Sequence, residues 1–213
     1  MSAEPSARPS AAGTLRVRRV VLLGPPGAGK GTQAVRLAEL LGVPAVSTGE
    51  IFRRNAREGT ELGAAAQRYL DAGEYVPDEV TNAMVAARLA EPDAAGGFLL
   101  DGYPRTAAQV ERLDAVLEAA GTPLDLALEL TADEEVVVER LLRRAGTEGR
   151  SDDSEDVVRH RLALYATETG PLAATYDARG QLVRVDGTGD VGDVGDRIAE
   201  ALATWSPPRP RHG

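Results

Sequence analysis

The chain has 213 residues, 43% of them hydrophobic, and no cysteine, which suits one globular unit with a sizeable core and rules out disulfides and thiolate zinc sites. A net charge of −9 argues against a nucleic-acid partner, since such proteins carry a basic face, yet it leaves room for a local cation cluster that holds a small polyanion. The longest apolar runs, Val20–Leu23 and Phe98–Leu100, are far too short to span a bilayer, and the N-terminus lacks a signal-type apolar stretch, so no membrane association and a cytoplasmic location are expected.

Residues 1–18 are read as a disordered tail, its first fifteen positions rich in Ser, Ala and Pro, and the Pro- and Arg-rich residues 206–213 as a second. Between them, residues 19–205 read as one domain. Arg19–Leu23 is a buried-strand run ending at Gly24, and Thr32–Leu41 has helical spacing and stops at Gly42. Pro44–Ser47 reads as a strand. Helices follow at Glu50–Arg57, at Glu61–Ala72 before Gly73, and at Asp78–Ala90. Phe98–Asp101 is a strand, Ala107–Ala120 a helix closed by Gly121, Asp125–Leu130 a strand and Asp133–Arg144 a helix. Glu155–Tyr176 reads as helix with a kink at Gly170–Pro171, followed by a strand at Leu182–Val185 and a helix at Asp193–Ala203. Alternating strands and helices predict an α/β fold, a five-stranded doubly wound parallel sheet.

The sharpest local signal is Gly24-Pro25-Pro26-Gly27-Ala28-Gly29-Lys30-Gly31-Thr32, placed between a strand and a helix as a P-loop must be. Glycines 27, 29 and 31 fit a nest of alternating backbone handedness, in which the amides from Gly27 through Thr32 (Gly27, Ala28, Gly29, Lys30, Gly31 and Thr32) face an anion. The positive end of the following helix adds to their pull. Of the chain's 24 Lys and Arg residues, Lys30 alone is lysine. It stands where a compact ammonium suits transferring phosphates and a wide guanidinium does not. A plain Gly-Pro turn would explain the glycines but not that lysine. The position after the lysine is Gly31 and not the Ser or Thr of GTPases and motor ATPases; Thr32 comes one step later.

Further motifs narrow the reading. The stretch Gly24–Gln33 resembles the P-loop of adenylate kinases. So do Ser47-Thr48-Gly49-Glu50-Ile51-Phe52-Arg53, Gly73-Glu74-Tyr75-Val76-Pro77-Asp78, and Phe98–Thr106 with Gln109. Arg140 to Arg144, Gly149–Asp153 and Arg161 resemble that family's lid region, and Val185-Asp186-Gly187 its last strand and the loop near the donor base. The resemblance runs from about Arg19 to Leu202 and implies a P-loop kinase with a helical acceptor-binding insertion over 47–76 and a short lid over 145–153. Five residues separate Arg144 from Arg150, which leaves no length for the β-subdomain of long-lid forms and, with no cysteine, no zinc.

The resemblance implies transfer of the γ-phosphoryl group of ATP to AMP by a monomer. Lys30, with Gly27 to Thr32, Arg140, Arg144 and Gly189, would hold ATP. Thr48, Arg53, Glu74, Val76, Gly102, Arg105, Gln109, Arg150 and Arg161 would hold AMP. The catalytic set would be Lys30, Asp101, Arg105, Arg140, Arg144, Arg150 and Arg161, with Mg2+ held through water by Asp101 and Glu50. Glu50 stands where the family usually has Asp, and Tyr103 where Phe is commoner. Asp152 and Asp153 either steer the lid arginines or form an acidic first helical turn. Arg54, Arg57, Arg112, Arg143, Arg159 and His160 read as surface residues. The rival readings are a UMP/CMP kinase, a P-loop switch protein and a non-catalytic nucleotide binder. Thr48 and the amide of Gln109, which can pair with an adenine edge, favour AMP.

Overall fold

The computed structural model describes residues 17–148 and 154–207. Five parallel strands form one sheet in the order β2-β3-β1-β4-β5, with β1 Arg19–Leu23, β2 Ala45–Ser47, β3 Phe98–Asp101, β4 Leu126–Thr131 and β5 Leu182–Asp186. The doubly wound expectation holds. The central strands β1 and β3 are short apolar runs of the kind that only a sheet covered on both faces can bury, whereas the edge strand β5 alternates, with Arg184 and Asp186 exposed.

Alternate residues along the central strands feed two cores. Val20 and Leu22 join Leu37 and Leu41 of α1 (Lys30–Leu41) and Ile198 and Leu202 of α9 (Val191–Thr204) on one face. Val21 and Leu23 face the other way. They join Val85 of α4 (Asp78–Leu89), Leu113 and Leu117 of α5 (Ala107–Ala119), and Leu172 and Tyr176 of α8 (Leu172–Ala178). Helices α2 (Thr48–Glu58) and α3 (Glu61–Ala72) occupy the stretch expected to be the acceptor insertion. Their own small core is Phe52, Ala66 and Val76. Helices α6 (Glu134–Glu148) and α7 (Glu155–Leu164) pack through Val137, Leu141 and Val158.

The structure moves several expected boundaries. Helix α1 begins at Lys30 and α2 at Thr48, each two residues earlier than apolar spacing suggested, because the first turns are fixed by the loops that precede them. The single helix expected over 155–176 is three pieces. Its regular path ends at Leu164 and passes through a π-helical turn, Tyr165–Thr169, before α8 starts after Pro171. Val17 and Arg18, expected in the N-terminal tail, are held by the fold. Val17 is 3% exposed in the α1/α9 core, and the backbone amides of Arg18 and Arg19 donate to Asp125 Oδ2 at 2.7 and 2.8 Å. Residues 1–16, 149–153 and 208–213, among them Arg150, Asp152 and Asp153, lie outside the described residues.

Candidate active site

Every strand of a parallel sheet delivers its carboxyl end to the same edge, which is where open α/β sheets bind ligands. A cleft of about 910 Å³ lies there. Gly24–Lys30 leads from β1, Glu50 and Arg53 follow β2, Asp101–Arg105 follows β3, Arg140 and Arg144 ride on the helix after β4, and Gly187–Val191 follows β5; all of these segments contribute to its lining.

The P-loop is built by its glycines, though not by the three expected. Gly27 and Gly29 have φ of +89° and +93°, the left-handed region, while Gly31 sits without positive φ in the first turn of α1. The handedness alternates over Gly27–Gly29 and the helix takes over at once. Gly29 caps α1 without a side chain, and the first turn carries no acid, so the helix start presents backbone amides. One expected donor is committed: Ala28 N–H bonds Pro25 O at 3.1 Å. Lys30 Nζ donates to Gly24 O at 2.6 Å and Pro25 O at 2.9 Å, so the ammonium is sunk in its own loop. Burial there lowers its pKa to about 8. The carboxylate of Asp101 opposes that shift, and Arg105, Arg161 and Arg144 add to it.

On the acceptor side, Arg53, Glu74, Gly102, Arg105 and Arg161 line the cleft. The loop carrying Arg105 turns through a cis Tyr103–Pro104 peptide. Arg105 Nε donates to Gly102 O at 2.7 Å, and its guanidinium lies 4.8 Å from the Tyr75 ring centroid. Thr48, Val76 and Gln109 do not reach the cleft wall. Thr48 is 2% exposed, and its hydroxyl donates to Gly102 O at 2.9 Å. Val76 is part of the insertion's apolar core. Gln109 is buried with both ends engaged: Oε1 accepts from Arg105 N–H at 2.7 Å, and Nε2 donates to Asp78 Oδ1 at 2.6 Å. Turning that amide over would set N–H against N–H and oxygen against carboxylate, so its orientation is fixed.

On the donor side, Arg140 donates to Gly187 O at 3.0 Å and Gly189 O at 3.3 Å, pinning the loop after β5. Gln33 Nε2 donates to Val191 O at 2.9 Å and ties the P-loop helix to the end of that same loop. Arg144 lines the cleft beside them, and Arg150 is outside the described residues.

Sequence comparison agrees with this geometry. The adenylate kinase family model matches residues 22–181. A curated adenylate kinase of Kocuria rhizophila is 60% identical over 184 residues, 86% of this chain and 98% of its own. One of a Nocardioides species is 58% identical over 86% of this chain and 96% of its own, and one of Thermobifida fusca 56% identical over 86% and 97%. The chain belongs to the adenylate kinase family. The sequence-level recognition and the α/β P-loop kinase fold stand. The cleft is also lined by residues that the sequence did not single out as site residues. Arg57 and Arg143, read as surface charges, are exposed yet border the cleft. Tyr75, Tyr165 and Thr169 line it as well. Only their place in the folded chain brings Tyr165 and Thr169 to the cleft, Thr169 against the Arg105 carbonyl; nothing in their local sequence marks them.

Proposed function

We propose that this kinase moves the γ-phosphoryl group of ATP onto AMP, giving two ADP, reversibly and with magnesium, and that each described residue read as a site residue from the sequence takes part as assigned. The observation that carries the reading is one cleft lined by the chain's single lysine, in a P-loop, and by Arg53, Arg105, Arg140, Arg144 and Arg161. Phosphoryl transfer asks for in-line placement and charge stabilisation and little covalent chemistry. That set supplies both. Lys30 holds the donor phosphates as a point charge, Arg53 and Arg105 clamp the acceptor α-phosphate, and Arg140, Arg144 and Arg161, with Arg150 of the lid, surround the moving group. No general base is required of the protein.

Asp101 ends β3 on the same wall as Lys30, and Glu50 lies in the first turn of α2; both line the cleft. Two carboxylates beside a phosphate cradle fit a magnesium ion that keeps its waters. Held there through water by Asp101 and Glu50, the ion would supply positive charge that offsets the charge of the phosphates. Gln109 supports adenine as the acceptor base. With one N–H given to Asp78 and one lone pair to Arg105, its fixed amide keeps one donor and one acceptor, which match N1 and the 6-amino group. Thr48 and Gln109 are screened from the cleft in this structure, so base contact requires the loop over Gly102–Arg105 to part from Thr48. All the proposed site residues come from one chain, which suits a working monomer. Among the described residues no helix is long and apolar enough to cross a membrane. A cytoplasmic site of action fits the use of ATP and AMP.

The test is a nucleotide panel with product analysis, pairing AMP, CMP and UMP with ATP and GTP in the presence of magnesium. ADP from ATP plus AMP is expected, with much weaker use of CMP and UMP. Comparable efficiency with CMP would overturn the acceptor assignment and leave the phosphoryl transfer standing.

A further inference from the structure

Two hydroxyls on the cleft wall, outside every P-loop, clamp and lid motif, meet in one joint. Thr169 is the last residue of the π-helical turn, whose closing bond runs from Gly170 N–H to Tyr165 O at 2.7 Å. Such turns insert a residue into the helical path and occur often at functional sites. Thr169 is 6% exposed, and its Oγ1 lies 2.9 Å from Arg105 O and 2.8 Å from Tyr75 Oη. Its single proton can go only one way. The Arg105 carbonyl can only accept, so Thr169 donates to it, and Tyr75 must then donate to Thr169.

The Tyr75 ring also lies against the Arg105 guanidinium, whose Nε is held by Gly102 O. Arg105 is thus fixed at its backbone by Thr169 and at its head by Tyr75 and Gly102. Tyr75 belongs to the stretch that leads out of the acceptor insertion. Two residues earlier, at Gly73, a Cβ would come within 2.7 Å of Val157 Cγ1 and 2.9 Å of Arg161 Cγ, both on α7. The exit of the insertion therefore lies along α7 and the π turn from Gly73 to Tyr75.

We propose that Thr169 is a positioning residue: through Tyr75 and the Arg105 carbonyl, it couples the seating of the acceptor insertion to the placement of the Arg105 guanidinium. The inference rests on the reading of Arg105 as the acceptor-phosphate clamp. When the insertion is seated, Tyr75 donates to Thr169 and its ring backs Arg105. When the insertion swings away, both contacts are lost together and the clamp loses its support.

The test is steady-state kinetics with separate KM values for AMP and ATP on the full chain. Loss of a shielded hydrogen bond that leaves its partner unsatisfied is expected to raise KM for AMP about tenfold in Thr169→Val. KM for ATP should stay within about twofold, because the donor side makes none of these contacts. Thr169→Ser, which keeps the hydroxyl, should restore KM for AMP. Tyr75→Phe keeps the ring over Arg105 and should raise KM for AMP less. Added to Thr169→Val it should raise it no further, since both changes break the same bond. Equal rises in both KM values, failure of Thr169→Ser to rescue, or independent effects of the two changes would each overturn the proposal. Arg105→Lys is the control. If it raises KM for AMP while Thr169→Val does not, the coupling fails and the clamp reading survives. If it leaves KM for AMP unchanged, the clamp reading fails and the coupling falls with it.

Discussion

Lys30 shows how far a single residue could be read. Its isolation among arginines and its place between Gly29 and Gly31 marked it before any coordinates, and its ammonium does sit in the cradle. Its lowered pKa could not be read from the sequence, because the charges that act on it, Asp101, Arg105, Arg161 and Arg144, lie far away in the chain. Thr48 and Gln109 were legible as residue types but not as places: their polar atoms turn inward onto Gly102, Arg105 and Asp78, which only the folded loop supplies. Two predictions belong to this scale. Lys30→Arg should lower kcat by ~10²-fold, since a guanidinium is too wide for the nest and displaces the phosphates from in-line alignment by about an ångström. ATP affinity should fall less, because base and ribose contacts lie elsewhere. Near-full kcat in Lys30→Arg, measured beside Lys30→Met, would remove the need for lysine there. The second prediction concerns protons. With a pKa lowered to about 8 by burial, the free kinase loses the Lys30 charge as pH rises through that value. Bound phosphates favour the charged form and raise the pKa again. ATP binding should therefore take up a proton above about pH 8 and none near pH 6, and affinity should weaken as pH rises. Calorimetry in buffers of different ionisation enthalpy reads this directly; proton uptake that is the same at pH 6.5 and pH 9, or that is lacking at both, counts against it.

At the scale of elements, the strands and most helix ends were legible because each is set by local chemistry. Apolar runs mark the strands, and Gly42 and Gly73 close helices in the left-handed conformation expected of them. The break itself was legible as a kink at Gly170–Pro171, but its form, a π turn over Tyr165–Thr169 that ends against those two residues, was not, since the sequence up to Thr169 continues a helical pattern. The same holds for Val17, which is one apolar residue in a polar stretch until it meets the α1/α9 core. The close approach of α2 and α3 was hidden too. A Cβ on Gly63 would lie 2.2 Å from both the carbonyl carbon and the carbonyl oxygen of Asn55, so the pair can pack only with glycine at that point. Gly63→Ala meets backbone and not a flexible side chain, and the helices must separate. The expected cost is roughly 1–3 kcal/mol of stability. The damage should be confined to the insertion, so KM for AMP should rise more than KM for ATP. Thermal unfolding and the two KM values check this; an unchanged unfolding midpoint would show that the helices separate freely.

The whole molecule carries a net charge of −9 and yet gathers Lys30, Arg53, Arg105, Arg140, Arg144 and Arg161 into one cleft, so the field there is set by local arrangement and not by composition. Without nucleotide, part of that cation set is engaged with the protein's own carbonyls: Lys30 with Gly24 and Pro25, Arg140 with Gly187 and Gly189, Arg105 with Gly102. The segment expected as the acceptor insertion has a small core of its own, Phe52, Ala66 and Val76, which meets the sheet core at Met84 of α4, so motion of that segment would hinge there. A kinase also has to keep water from the transferring group, or it becomes an ATPase. A cleft of about 910 Å³ edged by exposed Arg57 and Arg143 leaves the site open to solvent until something covers it. On the function proposed above, the parts expected to cover it are the acceptor insertion over 47–76 and the lid over 145–153, of which 149–153 lie outside the described residues. Two adenosines joined through a phosphate chain would occupy both nucleotide positions at once and should draw both parts inward. The radius of gyration from solution scattering should fall on saturation with that compound, and AMP alone should produce only part of the change, because it engages the insertion and not the lid. An unchanged profile at saturation would mean that water is excluded without closure, and that the insertion's small core serves packing alone.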